Sequence, residues 1–426
     1  MGLNKESLEV QRLRESVQEL SIINEIATAI SGVWELDHVV DLIVHKCVKH
    51  LNVEQGAVML LEAENLDKPF HTMIRKMDES ESKVPYHFGV QLSGWMLHNH
   101  KPLLVNDFAS DDRFKILGKM NFSVKSLLSV PLQIKGRMIG LVNLFNKRSE
   151  KGFTQDDQRL LSIIAAQSAQ VIESARLYQK EKELRSLEED LLVAHEIQNQ
   201  LLPKVTPQIE GYDIAGFTAP ARDVGGDYYD FISIDELHLA FCLGDISGKG
   251  IPASLLMANL QATLRGQAFS TLSCSECLKK SNNFLFHSTD IQKFATLFYA
   301  VLNTNTNELT YSIAGHTPPM YLPENGELVK LDVGGTVLGF LEHTNYEEET
   351  LAMQPGDILV VYSDGITEAG DHEEDYDEWR LEEAIKKYRN KSSREIIDEI
   401  LKEVKDYTNN GFQQDDMTLI VIKREK

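Results

Sequence analysis

Four aspartates in the second half of this chain each stand where an apolar, β-type run begins or ends. They are Asp227 in DVGGDYYD, Asp245 in CLGDISGKG, Asp364 in VVYSDGITEA and Asp415 in QQDDMTLIVI. A residue at a strand end lies on the rim of its sheet, so the pattern favours a fold that gathers distant carboxylates at one rim. Gly225, Gly226, Gly244 and Gly365 adjoin these positions, where the chain must turn sharply at close quarters. Carboxylates with no neighbouring His or Cys ligands suit hard, oxygen-loving cations such as Mg²⁺ or Mn²⁺. The expectation is a two-metal hydrolase.

The rest of the chain is organised around one long helix. Leu3, Val10, Leu13, Val17, Leu20, Ile23 and Ile30 recur at helical spacing over 3–30, and a second helix is predicted from Leu36 to about Leu51. GAVMLLEA (56–63) alternates as a strand, and SLLSVPLQIKGRMIGLVNLFNK (126–147) reads as a hairpin turned at Lys135-Gly136. A helix then starts near Asp156 and meets no breaker until Pro203. On it Leu177, Leu184 and Leu191 are seven apart, with Leu187, Ala194 and Leu201 as the matching set and Lys180 as an interruption. A parallel two-helix coiled coil over 177–201 accounts for that stripe; packing against a neighbouring domain is the alternative.

Beyond Pro203 and Pro207 strands are predicted at 212–219, 228–234 and 237–243, then a helical stretch from Pro252 to about Asp290. Strands resume at 294–302, 308–314, 328–332 and 357–363, and a helix over about 379–406 precedes a last strand at 417–423. Strand blocks broken by one long helical insertion favour an α+β sandwich over βαβ units. DHEEDYDE (371–378) reads as a solvated acidic loop.

Composition narrows the function classes. With 426 residues, two or three domains are expected. A net charge of −22 argues against nucleic acid as a partner. No run of about 18 apolar residues exists, so membrane insertion is not expected. The start, MGLNKESLEVQRLRES, lacks an apolar signal core and has Glu6 where myristoylation needs Ser or Thr, so a cytoplasmic location is expected. Cys274 and Cys277 form a CxxC, but no second pair stands at zinc-ribbon spacing; ordinary helix cysteines in a reducing cytosol account for them.

The order GGDYYD, GDISGKG, YSDGITEA, DDMT resembles the metal-dependent serine/threonine protein phosphatases of the PPM type. Within them it is similar to the bacterial branch typified by stage II sporulation protein E and the stress-response sigma-factor regulators. The likeness covers about 195–426, beginning in VAHEIQNQLLPK. It implies an α-β-β-α sandwich holding two Mn²⁺ or Mg²⁺ ions. By motif, Asp245 would bridge both ions with the Ile246 carbonyl as a further ligand, Asp227 would hold the first ion, and Asp364 and Asp415 the second. One residue of slippage between Asp415 and Asp416 stays open. Ions about 4 Å apart would depress the pKa of a shared water, which attacks phosphorus in line without a covalent phosphoenzyme. No residue is assigned as general acid.

Other residues carry two readings each. Asp223 would hydrogen-bond behind the ligands. Arg222 is either a phosphate contact or a surface ion-pair partner. His316 in SIAGHTPPMYL is mainly structural, with phosphate contact or proton donation as the other role. The stretch 248–266, with Gly248 and Gly250 as hinges, resembles the element that completes the metal site in this branch; an ordinary amphipathic helix is the alternative.

Residues 20–175 resemble a GAF domain, an antiparallel sheet flanked by helices, through GWMLHNHKPLLVNDFASDDRF (94–114) and the 126–147 hairpin. Asn146, Lys147, Phe153 and Asp157 fit a cyclic-nucleotide signature, yet Gln158 stands where it has Glu. The same residues serve equally as a Phe packed under a helix start with an Asp cap. The GAF ligand is unassigned. The expected organisation is an N-terminal helix (1–19), a GAF sensor (20–175), a coiled-coil linker (176–203) and a phosphatase domain (204–426). The resemblance implies a dimeric protein-serine/threonine phosphatase acting on a STAS-type anti-sigma-factor antagonist, controlled by a small molecule or protein at the GAF domain. A catalytically inactive partner-binding scaffold and a GAF small-molecule receptor are the rival readings.

Overall fold

The computed structural model describes residues 21, 35–61, 70–77, 86–107, 110–111, 113, 124–289, 293–370, 374–408 and 413–426. The helix expected over 3–30 lies outside these, apart from residue 21, as do residues 108–109, 112 and 114 of the 94–114 motif. The chain divides into two compact units, Met1–Ser186 and Leu187–Lys426.

The first unit is built on an antiparallel sheet of order β2-β1-β5-β4-β3. Its strands are β1 (Val53–Leu61), β2 (Phe70–Met77), β3 (Leu103–Val105), β4 (Leu127–Ile134) and β5 (Arg137–Lys147). The hairpin β4-β5 turns at Lys135 and Gly136, both at positive φ (49° and 83°), as a tight two-residue turn requires. Helix α1 (Leu36–Leu51) covers one sheet face with Val39, Val40, Ile43, Val44 and Cys47. Helix α2 (Tyr86–Asn99) adds Leu92 and Met96 to the core on the other face. Helix α3 (Gln155–Leu201) contributes Leu161, Ile164, Ala165, Ala169 and Ile172 at three- and four-residue spacing to the α1 side.

The second unit is an α-β-β-α sandwich. One sheet runs β13-β10-β9-β8-β7 with β14 beside β10; the other runs β12-β11-β15-β16-β6. The strands that matter for the site are β6 (Tyr212–Ala219), β7 (Tyr228–Ser233), β8 (His238–Ile246), β9 (Ala295–Asn303), β10 (Glu308–Ala314), β15 (Ile358–Tyr362) and β16 (Met417–Arg424). The remaining strands are β11 (Met320–Leu322), β12 (Val329–Lys330), β13 (Gly334–Gly335) and β14 (Glu349–Ala352). In β8, Leu239, Phe241 and Leu243 point between the sheets, while Ala240, Cys242 and Ile246 point to the outer helices. Strand β8 is therefore apolar on both faces, with the second sheet on one side and helices on the other. Helices α4 (Ile251–Ala268) and α5 (Cys274–Ser288) cover the first sheet; α7 (Glu378–Tyr388) and α8 (Ser393–Tyr407) cover the second. The short helix α6 (Asp364–Thr367) lies between β15 and α7.

Several expectations are corrected. The single helical stretch over 252–290 is two helices, because Ser273 caps a new one by accepting from the Glu276 amide. The helix at 379–406 is likewise two, divided before the Ser392–Glu395 capping box. Strands β11, β13 and β14 are too short to show a period, and 328–332 pairs over two residues only. The heptad stripe changes environment along α3. Leu177, Leu184 and Leu187 are more than half exposed, whereas Leu191, Ala194 and Leu201 are half-buried and Gln198 is buried. The seam expected over 177–201 is thus open only as far as Leu187. The four cysteines are free and buried; burial pushes the Cys277 thiol up to about 11, and Cys274 donates to the Thr310 carbonyl. Among the described residues no helix is long and apolar enough to cross a membrane.

Candidate active site

The strand pairing brings the aspartates to one rim. Tyr228 at the start of β7 faces Gly244 near the end of β8, which puts Asp227 beside Asp245. Tyr362 at the end of β15 faces Leu419 early in β16, which puts Asp364 beside Asp415 and Asp416. The backbone is packed tightly there. A Cβ on Gly365 would lie 2.1 Å from the Asp416 carbonyl oxygen, so no side chain fits. One on Gly226 would lie 3.0 Å from the Ile246 carbonyl oxygen and 3.5 Å from Asp245 Oδ1.

Hydrogen bonds separate the two adjacent acids. Asp416 Oδ1 accepts from the Ala221 amide (2.7 Å), and Oδ2 accepts from the amides of Gly226 (2.6 Å) and Asp227 (3.2 Å). Both its oxygens are spent on bracing the Gly225-Gly226-Asp227 loop against β16. Asp415 accepts only its neighbour's amide at Oδ1 (2.9 Å) and pairs with Lys249 Nζ at Oδ2 (2.7 Å). Asp227 Oδ2 accepts from Thr418 Oγ1 at 2.5 Å.

The electrostatics of the cluster are those of crowded acids. Burial, and then the charges of Asp364, Asp415 and Asp416, push Asp245 up to about 7. Burial and the Asp245 charge hold Asp227 well above the usual carboxylate range, and burial with Asp415 raises Asp364. Such a donor set is short of positive charge, and divalent cations are what would supply it. The cluster is open: among the described residues no three His, Cys, Asp or Glu converge closely enough to enclose an ion.

Some expected residues stand aside from this set. His316 is buried, with Nδ1 3.1 Å from Thr296 Oγ1, which lies 3.4 Å from the Asp245 carbonyl oxygen. Burial lowers its pKa to about 4, so the ring is neutral near pH 7 and sits behind Asp245. Arg222 and Asp223 are exposed, and Asp223 takes part through its carbonyl oxygen rather than its carboxylate.

Four participants escaped the sequence reading. Lys249 lies between Gly248 and Gly250, both at positive φ (98° and 75°), and also donates to the Gln414 carbonyl (2.8 Å). Its signal was the GKG triplet. Thr418 gave none. Gln198, near the end of α3, clamps Gly225: its Nε2 donates to the Gly225 carbonyl (2.7 Å) and its Oε1 accepts the Gly225 amide (3.1 Å). One turn earlier His195 Nδ1 donates to the Asp223 carbonyl at 2.5 Å and Nε2 accepts from Asn199. The loop that carries Asp227 is therefore gripped from two sides, by Asp416 and by α3.

In the first unit Asn146, Lys147, Phe153 and Asp157 satisfy one another's neighbours. Asn146 Oδ1 accepts the Lys125 amide (2.7 Å) and its Nδ2 donates to Glu54 (2.7 Å). Lys147 Nζ pairs with Asp157 Oδ1 (2.7 Å), which also caps the start of α3 by accepting the Thr154 amide at Oδ2 (2.9 Å). Phe153 is buried beneath Lys147. Lys147, Phe153 and Asp157 tie β5 to the helix start, while Asn146 ties it to β1 and to the chain before β4.

Comparison with known proteins gives matches to both units. The family model for stage II sporulation protein E (SpoIIE) matches residues 235–425, and a GAF domain model matches 35–173. Phosphoserine phosphatase RsbU of Bacillus subtilis (strain 168) is 30% identical over 256 residues, covering 58% of this chain and 75% of that protein. Stage II sporulation protein E of Priestia megaterium is 26% identical over 200 residues, covering 47% of this chain but 34% of that longer protein. Among solved structures, the SiaA-PP2C domain of Pseudomonas aeruginosa superposes with a TM-score of 0.51 at 17% identity, covering 57% of this chain and 98% of that one.

Proposed function

The chain belongs to the SpoIIE-type protein serine/threonine phosphatases and carries a GAF domain, and from that premise we propose that it hydrolyses phosphoserine or phosphothreonine on a STAS-type anti-sigma-factor antagonist, under control of the GAF unit. The observation that supports this reading best is the gathering of Asp227, Asp245, Asp364 and Asp415 from four strand ends at one rim, where burial and mutual repulsion raise the pKa of Asp227, Asp245 and Asp364.

In this reading Asp227, Asp245, the Ile246 carbonyl, Asp364 and Asp415 would hold two Mn²⁺ or Mg²⁺ ions. When bound, the cations supply the Lewis acidity that activates water and neutralises phosphoryl charge. The chain's own residues set the geometry. Asp416 is a brace, since its oxygens are taken by three backbone amides. Thr418 orients Asp227, and Lys249 pairs with Asp415, a carboxylate that would otherwise face a bound cation. His316, buried and neutral, packs behind Asp245.

Regulation follows from α3. Gln198 and His195 hold the loop that carries Asp227, so a change in the path of α3 alters where that carboxylate lies. The exposed Leu177, Leu184 and Leu187 form the surface through which two copies associate. The activator at the GAF unit is a small molecule or a protein.

The test is phosphate release from p-nitrophenyl phosphate and from a phosphoserine STAS protein, with Mn²⁺, with EDTA, and in Asp364→Asn and Asp416→Asn variants. Turnover is expected with Mn²⁺ alone and is lost in Asp364→Asn. Turnover that survives EDTA, or equal Mn²⁺ affinity in Asp364→Asn, would contradict the reading.

A further inference from the structure

A cavity of about 490 Å³ opens directly beside the carboxylate rim and shares Lys249, Gly365 and Asp415 with it. Phe217 of β6 and Met417 of β16 form one wall, and the other comes from α8 through Leu401 and Lys405. Phe217 and Met417 lie on one sheet face, because Ala219 pairs with Met417 and Phe217 with Leu419 two residues on. That face belongs to the α7–α8 core, yet Phe217, Leu401 and Met417 are only partly buried within it. The cavity therefore keeps apolar surface open where α8 draws away from the strand ends.

Continuity with the site decides what fits there. A phosphoryl group placed at the rim carries its polypeptide with it, and the residues next to the phosphoserine must leave through the adjoining space. Charge narrows the choice further. Of the charged lining groups, Lys249 is already paired with Asp415 at 2.7 Å and Glu368 lies at the rim end near Asp364 and Asp415, whereas Lys405 is exposed on α8.

We propose that this cavity is the subsite for the segment flanking the phosphoserine, taking an apolar side chain against Phe217, Leu401 and Met417 and an acidic side chain at Lys405. The assignment rests on the phosphatase reading and adds to it a specificity for sequence around the phosphorylated residue. It separates the groups that handle phosphate from those that read the polypeptide, so the two can be perturbed independently.

The test uses the full chain with Mn²⁺ and three substrates: p-nitrophenyl phosphate, a phosphoserine peptide flanked by Leu and Glu, and one flanked by Leu and Lys. Fluorescence anisotropy with a labelled phosphonate analogue of the Glu peptide reports binding whether or not turnover occurs. Lys405→Glu is expected to raise KM for the Glu peptide about fivefold and to lower it for the Lys peptide, with p-nitrophenyl phosphate unchanged. Leu401→Ala should raise KM for both peptides and spare the small ester. Lys402→Glu, the same charge change on α8 outside the cavity, should do neither. Unchanged peptide KM and anisotropy in Lys405→Glu and Leu401→Ala would overturn the subsite while leaving the phosphatase reading intact. If the wild-type chain turns over no substrate, the phosphatase reading fails, and equal anisotropy in wild type and Lys405→Glu overturns the subsite as well.

Discussion

His316 shows how a single buried group makes acid sensitivity measurable. Its pKa falls from an ordinary 6.5 to about 4 because burial disfavours the imidazolium. Between those values the unfolded chain takes up a proton that the folded chain refuses. Stability is therefore lost as pH falls from about 6.5 toward 4, by about 3 kcal/mol from this residue. Urea unfolding of wild type and His316→Gln across that range should show a shallower decline in the variant. Parallel declines would mean that the ring is protonated within the fold. Asp415 and Asp416 make a second point at this scale. The motif DDMT favours Asp415 as the ligand, but both are acids on consecutive residues and a slip of one stays open. Successive side chains at a strand start point to opposite sides, and it is the loop packed on one side that engages Asp416 with three amides.

Among the elements, α3 carries the most consequence. Leu202, just past its end, packs against the sandwich cores, and Gln198 faces the Gly225 backbone. Gln198→Ala removes two hydrogen bonds from the loop that carries Asp227, which in the proposed reading would be a metal ligand. Losing about 1 kcal/mol of preorganisation corresponds to roughly fivefold weaker Mn²⁺ binding, measurable by calorimetry on the full chain. An unchanged Kd would show that the grip is incidental to the site. The heptad stripe was legible because leucines seven apart repeat regardless of partner. Which part of it a partner covers was not, because the same leucines serve a coiled coil or a domain surface. The divided helices follow the same logic: Ser273 and Ser392 are visible as polar residues, but a cap exists only once the chain leaves the helix there.

At the scale of the molecule, the proposed self-association can be tested through the exposed apolar surface of α3. Leu177 (60%), Leu184 (53%) and Leu187 (52%) lie on one face of α3. Sedimentation of the full chain should give a dimer that Leu184→Glu converts to monomer, since a seam leucine replaced by a charge cannot be buried against a second copy. A wild-type chain that stays monomeric at high micromolar concentration would exclude this face as the interface. The three residues span less than half of the predicted seam, so the association should be weak enough for concentration to shift it.

What the amino-acid order determined by itself was the family and the fold class. Acids at the ends of apolar runs, glycines beside them and a long breaker-free helix are local patterns, and local patterns survive without knowledge of neighbours. The α+β class followed from strand blocks broken by a helical stretch, and the α-β-β-α arrangement from the family resemblance. Only the tertiary structure decided which of two adjacent acids braces and which stays open, that Gln198 reaches Gly225, and that Lys249 pairs with Asp415. These are contacts across long stretches of sequence, between polar groups with no periodicity to announce them. Their partners exist only after two sheets and a helix end have been brought to the same rim.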